Sequence, residues 1–273
     1  MTLEAHELVD RFGRAVDQHA AALFIGAGLS MAAGLPSWAE LIEPLAVEIG
    51  AEDVTDLALV AEYYERQGSG GRPGLESRTL AALSTVTAPS RGQELATRLR
   101  VSEIWTTNFD PLLELASPES ATVYHDVDTG VIGTGRGVVI KMHGGFRFIK
   151  GVPNWQRSPI LTRGDFETYE QRYPRLWATL RASYLTKTML FLGFSFSDPN
   201  VELLQRLARQ QGIAASNNHL AVLGKPKDPR RFRSAMAMAR TTMNAMTRTT
   251  AMPPGPPLEA TASVIGRSSH PRR

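Results

Sequence analysis

Four times along this chain a short apolar run halts at a cluster of glycine, hydroxyl or amide groups. That repeated ending constrains the fold more than any other feature. Ala21 to Ile25 runs into Gly26-Ala27-Gly28-Leu29-Ser30, and Ile104-Trp105 runs into Thr106-Thr107-Asn108-Phe109-Asp110. Val138 to Met142 stops at His143-Gly144-Gly145, and Met189 to Leu192 stops at Gly193-Phe194-Ser195-Phe196-Ser197-Asp198. Short runs that are apolar throughout suit strands covered on both faces, as in parallel sheets. Val123-Tyr124 and Leu220 to Leu223 read as two further strands. Between the strands lie segments with helical spacing, such as Leu8, Val9, Phe12, Ala15 and Val16, or Trp38, Leu41, Ile42, Leu45 and Ile49. Strands alternating with helices predict an α/β fold, a parallel sheet with helices on both faces. In that architecture the four polar strand ends converge on one edge, where open α/β sheets bind ligands.

Each ending has a chemical reading and a plainer one. Glycines after AALFI let a backbone turn approach a ligand closely and turn amide N–H groups outward, a fit for a diphosphate. The turn also serves simply as a tight strand-to-helix connection, and the GxGxxG fingerprint is not met, because Met31 holds the third glycine position. Asn108 offers a donor and an acceptor together, and Asp110 stands two residues on, just before Pro111 and a short helix. The plainer reading makes both of them helix caps. His143 at a strand end is suited to general-base work near neutral pH, or to a structural hydrogen bond. Trp38 is either the first core residue of its helix or an aromatic wall beside a ligand. Gly68 to Gly74 (GSGGRPG) reads as a flexible loop or lid.

Composition narrows the classes. The chain has 273 residues and no cysteine, which excludes disulfides, thiolate zinc sites and cysteine nucleophiles. No apolar run approaches the ~20 residues of a membrane helix, and the acidic, helically periodic start MTLEAHELVDRFGRAV is not read as a signal peptide. A cytoplasmic protein is expected. The net charge of +3 hides an asymmetry: residues 225–273 carry ten Lys/Arg and two Asp/Glu, so residues 1–224 are mildly acidic. No nucleic-acid surface is indicated for that part. The expected division is a ligand-binding domain over residues 1–224 and a basic, disordered or divergent tail over residues 225–273, rich in Ala, Met, Thr and Arg.

Taken in order, GAGLS with GLPSW, TTNFD, KMHG and LGFSFSDP resemble the sirtuin-like domains, the silent-information-regulator superfamily, and within it the bacterial branch of anti-phage defence NADases. The resemblance spans about Ala20 to Leu223. It implies a Rossmann-like fold without a zinc module, because the four zinc cysteines of deacetylating sirtuins are missing. It implies NAD⁺ as substrate, cleaved between nicotinamide and ribose, with water as the simplest acceptor. By resemblance Gly26, Ala27, Gly28 and Ser30 form the diphosphate loop, and Trp38 closes over the nicotinamide end. Asn108 and Asp110 serve the ribose and carboxamide, with Thr107 where deacetylases have glutamine. His143 is the catalytic histidine, and Gly193 and Ser195 hold the adenosine half. Catalysis is assigned to Asn108 and His143, with no metal. A homo-oligomer and a regulatory partner or trigger are compatible with the branch.

Three other readings use the same residues. One is NAD-dependent deacylation or ADP-ribosyl transfer. Another is a nucleotide-sensing or partner-binding module without turnover. The last is a serine hydrolase pairing Ser195 with His143, although Ser197 breaks the GxSxG elbow.

Overall fold

The computed structural model describes residues 4–68, 70–133, 137–194, 219–224, 246–249 and 260–265. Its centre is the strand β1 (Ala21–Ile25), apolar and buried at every position. On one side β1 pairs in parallel with β2 (Glu103–Thr106), which pairs with β4 (Val138–Lys141), which pairs with the short β3 (Ala121–Val123). On the other side it pairs with β7 (Thr188–Leu192), followed by β8 (His219–Gly224). Six parallel strands thus run in the order β3-β4-β2-β1-β7-β8. The chain winds outward in both directions from β1, and the strand order reverses between β1 and β7. That is where a doubly wound sheet opens a crevice at its carboxyl edge.

Strand alternation sends side chains to two separate cores. Ala22 and Phe24 join Trp105, Ile140, Leu176, Trp177, Leu180 and Phe191 on one face. The helices there are α8 (Arg163–Glu167), α9 (Tyr169–Arg172) and α10 (Pro174–Thr186). Ala21, Leu23 and Ile25 join Phe12, Ala15, Ala96, Ile104, Leu113 and Val139 on the other. That face is covered by α1 (Ala5–Asp17), α6 (Arg91–Thr97) and α7 (Leu112–Ala116). The expected α/β class with helices on both faces is therefore what the chain adopts.

Over the carboxyl edge sits a third cluster, built by α3 (Trp38–Ile49), α4 (Leu57–Gln67) and α5 (Gly71–Leu83) around Ile42, Val60, Tyr64 and Leu75. The short helix α2 (Ala27–Met31) leads from β1 toward it. Two features differ from the sequence reading. In the segment GSGGRPG, Gly70 to Gly74 form the entry of α5 rather than a lid. Gly70 and Gly71 supply the left-handed turn (φ 89° and 55°), and Pro73 falls in the first turn, where its missing N–H costs nothing. Arg72 then ties the helix start to Glu76, to Asp165 at 2.7 Å and to the Pro159 carbonyl. The second feature is an antiparallel hairpin, β5 (Gly145–Ile149) and β6 (Val152–Arg157), turning on Lys150-Gly151 with both residues at positive φ. Phe146 and Phe148 of the hairpin carry its packing into the third cluster.

Within the stretch 225–273, two strands are described, β9 (Met246–Thr249) and β10 (Ala260–Ile265), which continue the sheet antiparallel beyond β8. Among the described residues no helix is long and apolar enough to cross a membrane.

Candidate active site

At the reversal point, three glycines let two loops touch. A Cβ on Gly26 would lie 2.6 Å from the Gly193 carbonyl oxygen, and one on Gly28 would lie 2.8 Å from Gly193 Cα. Gly193 itself sits at φ 61°, with no room for a side chain beside Leu29. The loops are stitched by Gly26 N–H to the Leu192 carbonyl (3.0 Å) and Gly28 N–H to the Gly193 carbonyl (2.8 Å). This corrects the expectation that these glycine amides point outward to a diphosphate: two of them are spent on the neighbouring loop. What the glycines provide is a floor of bare backbone.

The other strand ends supply side chains. Ala27, Gly28, Ser30, Trp38, Thr107, Asn108, Asp110, His143 and Gly193 all line one pocket of about 830 Å³. Gly26 lies beneath it. Ser195, assigned from the sequence to the adenosine half, lies outside the described residues. Apolar residues complete the wall, among them Leu35, Ile160, Phe166 and Val222. Asp110 is the one carboxylate among the described lining residues, and neither Lys nor Arg is among them. No group of three or more His, Asp and Glu positioned for a metal occurs among the described residues.

The turn after β2 is held from several sides. Thr106 Oγ donates to the Ile25 carbonyl (2.8 Å) and accepts from Asn108 N–H (3.0 Å), so the turn is hooked onto β1. Asn108 Nδ2 donates to the Gly26 carbonyl at 3.1 Å and to Ser30 Oγ at 3.0 Å. A carbonyl can only accept, so this contact fixes which end of the amide is nitrogen. Both amide protons are then used, and the Oδ1 acceptor is left for whatever enters the pocket. The caps reading fails for Asn108. It holds in part for Asp110, whose Oδ1 accepts from Leu112 N–H (3.2 Å) at the start of α7 while its Oδ2 accepts from Ser30 Oγ (2.8 Å). Trp38 opens α3 behind a Ser37–Glu40 capping box, packs against the third cluster and also lines the pocket.

Lys141, absent from the sequence-level candidates, is fully buried behind this turn. Its Nζ donates to the Asp110 carbonyl and pairs with Glu114 at 3.4 Å. Tyr124 donates to the same Glu114 at 2.8 Å, and burial, then the adjacent carboxylate, push its hydroxyl well above the ordinary value, so it stays a donor. Lys141 lies opposite Thr106 in the β2–β4 register and two residues before His143. One side chain thereby links the strand that carries the histidine to the turn that carries the asparagine. His143 is buried, its ring edge-on to Phe166 (5.3 Å) and Tyr169 (5.8 Å), and its carbonyl accepts from Ile160 N–H. Arg157 donates to the carbonyls of Lys141 and Met142, and Tyr169 donates to Met142 O at 2.9 Å, fixing the backbone that leads into the histidine.

A family model described as SIR2-like domain matches residues 102–242. The chain is 36% identical over 211 residues to the NAD(+) hydrolase ThsA of Enterococcus faecium, covering 71% of this chain and 41% of that protein. It is 32% identical over 225 residues to the NAD(+) hydrolase ThsA of Acinetobacter baumannii (strain 532279), covering 80% and 45%. It is 23% identical over 197 residues to Defense-associated sirtuin 2 of Bacillus subtilis, covering 68% and 19%. The chain thus spans less than half the length of each of these relatives.

Proposed function

Because the chain belongs to the SIR2-like domain family, we propose that its pocket binds NAD⁺ and hydrolyses the nicotinamide–ribose bond, releasing nicotinamide and ADP-ribose. The observation that carries this reading is the state of Asn108: both amide protons are committed to protein and the carbonyl oxygen is offered to the pocket that His143 shares. Nicotinamide leaves from a ribose carbon that gains positive charge, so the reaction calls for little covalent help. It calls for an oriented ribose, a placed water and negative potential nearby. Asn108 Oδ1 accepts a hydrogen bond from the ribose or the attacking water. His143 removes a proton from the water, directly or through a ribose hydroxyl. Asp110 contributes the only carboxylate among the described lining residues, which favours a cationic transition state. The diphosphate and adenosine lie against the bare backbone of Gly28 and Gly193, which Gly26 supports from beneath, Ala27 and Thr107 complete that side, and Trp38 covers the nicotinamide.

Two relatives are named NAD(+) hydrolases and one is named defence-associated, which supports NAD⁺ depletion in anti-phage defence as the biological use. With that use we propose a cytoplasmic protein held in check by a regulatory partner or by self-association. The test incubates purified protein with NAD⁺ and follows free nicotinamide and ADP-ribose beside Asn108→Ala and His143→Ala. Loss of a general base costs about 100- to 10,000-fold. A folded Asn108→Ala/His143→Ala double variant that still released nicotinamide at the wild-type rate would sink the proposal.

A further inference from the structure

We infer that Gln93 is a positioning residue of this site, acting through Ser30 to fix the orientation of the Asn108 amide. This rests on the NAD⁺ hydrolase reading for its kinetic consequence, though not for its geometry. Gln93 comes from α6, outside the four strand-end loops, and is fully buried. Its Oε1 accepts from Ser90 N–H at 2.8 Å, a group that can only donate, so the other end of the amide is nitrogen. That Nε2 donates to Ser30 Oγ at 3.3 Å.

The hydroxyl of Ser30 has one proton and two lone pairs. Asn108 Nδ2 and Gln93 Nε2 fill the lone pairs, and the proton goes to Asp110 Oδ2. Every polarity in the chain from Ser90 N–H to the Gly26 carbonyl is then determined, with both lone pairs and the proton of Ser30 used. Without the Gln93 donor, Ser30 Oγ is held by two hydrogen bonds instead of three and keeps an empty lone pair, so its hydroxyl is freer to turn about χ1, and with it one of the two acceptors that hold the Asn108 amide. Residues that orient a functional group through a hydrogen bond matter because a misplaced group forfeits rate while the fold survives.

Gln93→Glu separates this role from helix capping. The carboxyl keeps an acceptor for Ser90 N–H, and Glu serves in a capping box as well as Gln. It cannot donate to Ser30 while ionised, and it stands across the Ser30 hydroxyl from the Asp110 carboxylate, which favours a proton on the introduced Glu. When protonated it donates again. The expected result at pH 7.5 is a folded protein whose kcat for NAD⁺ falls about tenfold, the loss of one hydrogen bond, with KM nearly unchanged. The ratio to wild type, taken at each pH so that His143 cancels, narrows as pH falls. Gln93→Met, which carries no charge, should lose a similar factor at every pH. In ¹⁵N–¹H spectra the side-chain amide signals of Asn108, assigned by their absence in Asn108→Ala, should shift in both variants.

Wild-type kcat in both variants, or a loss of activity with the Asn108 signals unmoved, would overturn the inference. If the wild-type protein makes no nicotinamide, the hydrolase reading fails separately. The Asn108 signals then decide alone, a shift supporting the positioning role and none refuting it.

Discussion

The two halves of the pocket are built by opposite means. Around β1 and β7 the loops meet as bare backbone, glycine against glycine, with distances that leave no space for a single added carbon. Around β2 and β4 the loops are spaced by side chains: Lys141 against Asp110, Asn108 against Ser30, Thr106 against Ile25. The first half is set by exclusion and the second by hydrogen-bond pairing. A substitution in the first half should act on folding, whereas one in the second can strip chemistry from a protein that still folds.

The largest expected effect tests the glycine half. Gly28→Val puts Cβ 2.8 Å from the Gly193 backbone, and no flexible side chain can yield there. It should prevent the β1 and β7 loops from closing and leave little soluble folded protein, read by circular dichroism and thermal melting. A Gly28→Val protein that melts like wild type would remove the contrast between the halves.

Next comes the strut of the polar half. Lys141→Met leaves Glu114 buried with one oxygen already unpartnered, and breaking a buried pair on one side costs about 3–5 kcal/mol. Lys141→Met with Glu114→Gln removes both charges and should recover much of that stability in urea titrations, yet not the activity, because the Asp110 carbonyl stays unsupported. Recovery of both would mean that Lys141 holds the fold only.

Asn108→Asp sharpens the polar half further. The carboxylate cannot donate to the Gly26 carbonyl or to Ser30, so the fold should persist while kcat falls at least about 100-fold, the scale for one misassigned hydrogen-bonding group in an active site. Full activity in this variant would show that the amide orientation does not matter.

The smallest effect concerns acid and the β7 side. His219 is buried at the start of β8, accepts from Met189 N–H at 3.2 Å and lies 4.2 Å from the Tyr184 ring. Burial pushes its pKa from 6.5 down to about 4. The folded state therefore binds this proton less readily than the unfolded chain. Its stability is whole above pH 6.5 and falls as pH drops from there toward 4, by at most about 1.4 kcal/mol per unit. His219→Asn keeps an acceptor for Met189 without a titrating ring, and should flatten that part of the pH–stability curve.

The contrast also explains what could be read in advance. Strand-end clusters and apolar runs are local signals, so the sheet, the crevice and the meeting of Asn108, Asp110 and His143 were all legible. Capping boxes such as Ser37 to Glu40 mark helix starts in the same local way. The use of each amide was not legible. Gly28 N–H finds its acceptor in Gly193, far along the chain, and glycine carries no mark of which partner will come. Gln93 was half visible: Ser90-Arg-Gly-Gln93 spells a capping box, but Ser30 lies 63 residues away. GSGGRPG has loop composition, and the partners that anchor Arg72 at the helix entry, Asp165 and the Pro159 carbonyl, lie 93 and 87 residues along the chain. The hairpin after His143 went unread because Pro153 interrupts its alternation.

Trp38 has a practical consequence. It is the only one of the four tryptophans that lines the pocket; Trp105, Trp155 and Trp177 pack elsewhere. Its indole is a built-in fluorophore on the pocket wall. Under the proposed NAD⁺ reading, a pyridinium ring arriving beside it would quench its emission, which would make Trp38 a light-based gauge of occupancy even in catalytically dead variants, with Trp38→Phe as the dark control.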